Sequence, residues 1–266
     1  MPTPSFMIPH GGGPCFFMDP PANAPHLWDG MAAHLRALPA QIGHTPAALL
    51  VISAHWQAAI PTLTANAKHS LLFDYYGFPA HTYQLTYPAP GAPAVAQAAA
   101  ELLTTAGIPS AMDTERGLDH GVFIPLKVAF PEAAIPIVQL SLKKGLSPAS
   151  PLAIGRALAP LRDLNVVILG TGMTFHNMRD FNSPRATAAS AAFDAWLARS
   201  VALPQPERDD ALTHWADAPG ARYAHPQEEH LLPLMVAAGA AGTAPGRQIY
   251  RELLAGTNWQ SSYRFA

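Results

Sequence analysis

Four short runs of aliphatic residues, rich in Val, Ile and Leu and without regular polar alternation, lie at residues 5–9, 47–53, 135–142 and 166–170. Runs of this length that lack a polar face predict strands covered on both sides. Stretches of helical character lie between and after them, at residues 24–38, 92–106, 150–161, 186–201 and 228–240. Alternation of this kind predicts an α/β fold with a central, mostly parallel or mixed sheet flanked by helices. The 28 prolines and 19 glycines are spread over the connections and no repeat is present, so residues 1–266 are expected to form a single domain.

Composition narrows the function more than the fold. Sixteen Lys and Arg nearly balance 18 Asp and Glu, and the charges are scattered, which leaves no basic stripe for nucleic acid or anionic lipid. No segment reaches ~18 uninterrupted apolar residues, and the opening MPTPSFMIPHGGG lacks a basic region followed by an apolar run. The expectation is a cytoplasmic protein without membrane or nucleic-acid partners, a monomer or a homodimer. The single Cys15 excludes an intramolecular disulfide and any thiolate-rich metal site.

Twelve histidines in a chain that is only 13% charged are the chemical signal. Ligands of open α/β sheets bind at the carboxyl ends of the strands, and three of the four predicted strands are followed by a histidine: His10 in PHGGG, His55 in SAHW and His176 in TGMTFHN. The glycines after His10 allow a sharp turn and close approach of a ligand. His120 follows Asp119, a carboxylate able to hold an imidazole tautomer. The segment HPQEEHLLPL carries His225, Glu228, Glu229 and His230; helical phase would put the two acids in a first turn, where the macrodipole favours them. Each histidine taken alone is open to a structural reading as a capping, loop or core residue. Together they predict a metal site at the strand ends, with imidazole ligands that suit Fe(II) or Zn(II) alike. No contiguous zincin motif, nucleophile elbow, P-loop or dinucleotide fingerprint is present.

The order of blocks along nearly the whole chain resembles the class III extradiol ring-cleaving dioxygenases, in the branch of the DOPA dioxygenases. The blocks are PHGGGP, VISAHW, FDYYGFPAHTYQLTYPAPGAP, RGLDHGVFIPLKVAFPEAAIPIVQLSL, ILGTGMTFHNM and HPQEEHLLPLMVAAGAAG. The resemblance implies that His10, His55 and His230 bind a divalent metal, Fe(II) for activity, with Zn(II) an alternative occupant as isolated. More distant relatives use two histidines and a glutamate, and Glu229 stands beside His230. It further implies His176 as base or additional ligand, His120 as proton donor, and His225 at the substrate pocket. Among aromatic residues of the matched blocks, Trp56, Tyr76, Phe78, Phe123 and Phe175 are candidates to sandwich the substrate ring. The reaction implied is cleavage of a small aromatic diol by O2 to a muconic semialdehyde. Rival readings are a zinc hydrolase on the same ligands and a non-catalytic metal-binding module.

Overall fold

A computed structural model describes residues 2–266. Strands are β1 Ser5–Pro9, β2 Ala48–Ala58, β3 Thr62–Thr64, β4 Ala111–Asp113, β5 Ile137–Lys143, β6 Val166–Gly172, β7 Gly246–Leu254 and β8 Asn258–Phe265. Helices are α1 Asp29–Arg36, α2 Leu38–Ile42, α3 Pro93–Thr105, α4 His120–Ala129, α5 Ala149–Leu158, α6 Arg185–Val201, α7 Glu207–Thr213, α8 Ala221–Ala224 and α9 Leu232–Ala240. The strands form one mixed sheet in the order β4-β3-β5-β2-β6-β1-β8-β7.

The four strands expected from sequence are its parallel centre, β5-β2-β6-β1. Their side chains go alternately to two cores. Leu50, Ile52 and Ile168 face a core shared with α3, α5, α6 and α9, while Leu49, Val51 and Leu169 face one shared with α1 and α4. A strand covered on both faces has no place for polar alternation, which is why these read as plain aliphatic runs.

β3 and β4 are three-residue strands at one edge, and β8 and β7 form an antiparallel hairpin at the other. None was expected. β8 buries Gln260, Ser261 and Ser262 completely, so its polar residues hide a strand that packs like a core element. α4 was also not expected: it begins at His120, contains Pro125 and is buried on nearly every side, so it shows no helical period. The helix expected over 228–240 begins only at Leu232, so Glu228 and Glu229 are not in its first turn; they lie in the preceding turn, where Glu228 O accepts from Leu231 N and Leu232 N.

The parallel order β2-β6-β1 sets three carboxyl ends side by side. His10 leaves β1 with its N–H on Gly172 O at 3.2 Å, at the end of β6. The β2 ladder with β5 shifts register between Ile52 and Gln57, which frees the stretch around His55 from regular pairing. The turn before α9 crosses the end of β6, where Met173 N donates to His230 O at 3.1 Å. Only glycine fits at that crossing: a Cβ at Gly172 would collide with the His230 carbonyl.

Candidate metal centre and active-site cavity

Local backbone chemistry aims each histidine. Gly11 and Gly13 take positive φ, +78° and +54°, and so fold the chain after β1 sharply under the cavity. His10 Nδ1 lies 2.7 Å from Gly11 O; a carbonyl only accepts, so the proton is on Nδ1 and Nε2 carries a lone pair. His230 Nδ1 donates to Glu229 Oε1 at 3.0 Å, leaving its Nε2 buried and without a partner. His120 Nδ1 donates to Asp74 Oδ1 at 2.7 Å, and the same oxygen accepts the His120 backbone N–H at 3.0 Å at the start of α4. Asp74 Oδ2 lies 4.0 Å from His55 Nδ1.

Behind this layer Asp119 is fully buried. It accepts from Ser53 Oγ at 2.6 Å, from Gln139 Nε2 and from Arg116 at 3.3 Å, while Ser53 Oγ accepts the His55 N–H at 3.1 Å. Burial, with Asp74 nearby, pushes the Asp119 carboxyl above its ordinary range, against the opposing pull of these donors.

The imidazoles converge. His10 and His55 ring centroids are 4.8 Å apart, His10 and His230 5.2 Å, and His55 and His230 4.8 Å. One ligand atom from each lies within 4.8 Å of the others. Burial, then the neighbouring imidazoles, hold His10 and His230 well below the ordinary histidine range. Burial and His120 depress His55 to about 3, with Asp74 pulling the other way. All three are therefore neutral at pH 7, the form that donates to a metal.

These residues fit a divalent metal. The Nε2 atoms of His10 and His55 face each other at 3.3 Å. With the His10 proton held on Nδ1, its Nε2 can only accept; two nitrogens bound at about 2.0–2.1 Å to one ion would lie roughly 3.0–3.4 Å apart. A bound ion would also give the orphaned His230 Nε2 its partner. Two further groupings, His55 with Asp74 and His120, and His176 with Glu229 and His230, also bring ligand atoms together. In both, the carboxylate already accepts from a histidine Nδ1, Asp74 from His120 and Glu229 from His230, so it orients an imidazole.

A cavity of about 340 Å³ opens over the three imidazoles, within the range of small-ligand sites. His120 and His176 line it, with Gly11 to Gly13, Leu27, Trp28, Phe78, Met173, Met178, Phe181 and Asn182. His176 stacks on His230, centroids 3.3 Å apart and planes 16° off parallel, with Nδ1 3.6 Å from Glu229 Oε1.

Of the residues singled out from sequence, His10, His55, His120, His176, His230 and Phe78 meet at this cavity. His225 does not: it is fully buried against Phe193 and Trp215, its Nε2 donating to Thr174 O at 3.0 Å. Tyr76 is 91% exposed and lines no part of the cavity. Trp56 is buried under the Arg116 guanidinium, and Phe123 and Phe175 are core residues. Sequence reasoning missed Asp74 and the cavity walls Leu27, Trp28, Met173, Met178, Phe181 and Asn182. Asp74 had only its place in the FDYYGFP block to mark it.

Neutral imidazoles gathered at parallel-strand ends under a mostly apolar cavity are the equipment of a non-haem metal enzyme that works on a small organic substrate. The comparisons say which kind. Residues 4–265 match the family model described as the catalytic LigB subunit of aromatic ring-opening dioxygenase, and the chain belongs to that family. It is an extradiol-type ring-cleaving dioxygenase, an oxidoreductase that depends on a metal. Among relatives, the 4,5-DOPA dioxygenase extradiol of Portulaca grandiflora is 40% identical over 227 residues, 83% of this chain and 82% of that one. Dioxygenase tasH of Hapsidospora irregularis is 37% identical over 254 residues, 90% of this chain and 78% of that one. The crystal structure of an uncharacterized protein from Escherichia coli K12 superposes with a TM-score of 0.80 at 27% identity, covering 99% of this chain and 100% of that one.

Proposed function

We propose that this enzyme opens the ring of a catechol with O2 to give a muconic semialdehyde, at Fe(II) held by His10, His55 and His230, with His176 as base and His120 as acid. The observation that carries the reading is the convergence of three neutral imidazoles beneath one cavity, with the buried His230 Nε2 unpartnered. Bound Fe(II) would supply a common anchor for the two catechol oxygens and a path for electrons to O2.

The chain's own residues would do the rest. His176, at the cavity wall with its Nδ1 3.6 Å from Glu229 Oε1, is positioned to take a catechol proton. His120 has its Nδ1–H fixed by Asp74, which leaves Nε2 as the atom that would hold or deliver a proton. Trp28, Phe78 and Phe181 can sandwich the ring and keep water away. Both oxygen atoms of O2 enter the product, so no outside reductant is needed.

The relatives named for DOPA make a DOPA-like catechol the first substrate to try. The test is O2 uptake by metal-stripped protein reloaded anaerobically with Fe(II) and supplied with catechols. Uptake of about one O2 per catechol with a yellow product is expected. No uptake despite bound iron would shift the reading to a zinc hydrolase, since three histidines and an open position serve that chemistry equally.

A further inference from the structure

β2 leaves regular pairing just where it delivers His55. Its last pair with β6 is Ser53 with Thr171, and its ladder with β5 lapses between Ile52 and Gln57. The His55 N–H is held instead by a side chain, the Ser53 hydroxyl, at 3.1 Å, and that hydroxyl donates to Asp119 Oδ1 at 2.6 Å. After His55 comes Trp56, whose ring lies 4.6 Å from the Arg116 guanidinium, and Arg116 pairs with Asp119 Oδ2 at 3.3 Å. The residues near His55 on both sides are thus fastened to one fully buried carboxylate, itself braced by Gln139 Nε2 from β5. The Asp119 main chain is fixed as well, its carbonyl accepting from Val122 N at 2.9 Å and Phe123 N at 3.0 Å in the first turn of α4. A Cβ at Gly121 in that turn would stand 2.7 Å from Ser53 Oγ and 2.9 Å from His55 Cδ2, so the start of the helix abuts the imidazole directly.

We infer that Asp119 is a positioning residue: it lines no part of the cavity, and acts through Ser53 and Arg116 to set where the His55 imidazole stands. The inference rests on the reading of His55 as a metal ligand and goes beyond it by naming what aims that ligand. His10 and His230 are aimed through their rings, each Nδ1 being hydrogen-bonded, to Gly11 O and to Glu229 Oε1. His55 Nδ1 comes no nearer than 4.0 Å to Asp74 Oδ2, beyond hydrogen-bond reach. Its aim therefore falls to its main chain, which a hydroxyl oriented by a buried carboxylate holds more firmly than a lapsed ladder can.

The test uses Co(II) as probe metal on the full chain, reading affinity and the visible spectrum of the bound ion. Ser53→Ala should weaken Co(II) about tenfold or more, the scale for lost outer partners of a metal ligand, and alter the spectrum. Asp119→Ala should do the same, and the double variant should lose less than the product of the two losses, because both act on one path. Leu103→Ala in the core beside α3, a control for instability alone, should lower the denaturant midpoint yet keep affinity and spectrum. Ser53→Ala removes a single oxygen atom and decides the matter even if Asp119→Ala fails to fold. Wild-type affinity and spectrum in Ser53→Ala, or an equal weakening in Leu103→Ala, overturns the positioning role while leaving ring cleavage standing. Unchanged Co(II) binding in His55→Ala overturns the reading of His55 as a ligand and the inference with it.

Discussion

His176 and His230 stack face to face, yet the roles proposed for them diverge because their hydrogen-bond environments do. His230 is buried, gives its Nδ1–H to Glu229 and presents a bare Nε2 to the metal position; His176 is partly exposed and 3.6 Å from the same carboxylate. His176→Ala should therefore keep the metal but lower kcat by about 10²–10⁴, the usual contribution of a general base. Metal content and steady-state turnover measured on one preparation check this, and a fully active variant would rule out the role. His225 is a different case. Burial holds it at about 3 in the folded chain, against roughly 6.5 unfolded. A histidine with a depressed folded pKa costs stability as pH falls, because below the unfolded value only the unfolded chain takes up the proton. Between pH 7 and pH 5 this residue alone should remove about 2 kcal/mol. Denaturant unfolding of metal-free wild type and His225→Gln at the two pH values tests it; equal pH dependence would show that His225 is not held neutral. The strand-end histidines were legible because a histidine leaving an aliphatic strand is an anomaly. Asp74 was not, since one aspartate in an irregular loop carries no periodic mark. His225 and Tyr76 were misplaced because neighbours in a block need not face one cavity.

The elements matter through where they end and cross. β6 can run beneath the turn that delivers His230 only because Gly172 lacks a Cβ. Gly172→Ala should push that turn outward, costing about 1–3 kcal/mol as overpacking does, and weaken metal binding as His230 withdraws. Denaturant midpoints and metal affinity should move together; a variant destabilised with normal affinity would mean that the crossing does not set His230. The same elements show why sequence served part of the fold well. The central strands are apolar on both faces and legible as such, as was the Ala-rich α6. The β7–β8 hairpin was not, because β8 buries polar residues: Gln260 holds Phe175 O and Asn258, and Ser261 holds Asp194. α4 was hidden by uniform burial and an internal proline. Glu228 and Glu229 look like first-turn acids by position, but Pro233 is the second residue of α9, and the helix begins at Leu232 after a turn that spends Glu229 on histidine.

At the scale of the whole molecule, the three imidazoles proposed to hold the metal come from parts of the chain that are distant in sequence: the end of β1, the carboxyl-terminal half of β2 and the turn before α9. Among the described residues no helix is long and apolar enough to cross a membrane. An ion bound at three such places favours only the folded chain. At a free concentration about 100 times its dissociation constant it should add about 2.7 kcal/mol to stability. Thermal melts of metal-free and loaded protein should show that gain for the wild type and lose it in His230→Ala; equal melting of loaded and metal-free wild type would place the metal elsewhere.

The most direct measurement of the central claim is a titration of metal-free enzyme with Fe(II) under argon, each point assayed for catechol-dependent O2 uptake. Uptake should rise to a break at about one iron per chain in the wild type. In His176→Ala iron should still bind with the same stoichiometry but without uptake, and in His230→Ala the tight binding itself should vanish. Stoichiometric, active iron that survives the loss of His230 would contradict the assignment of His10, His55 and His230 as the metal centre.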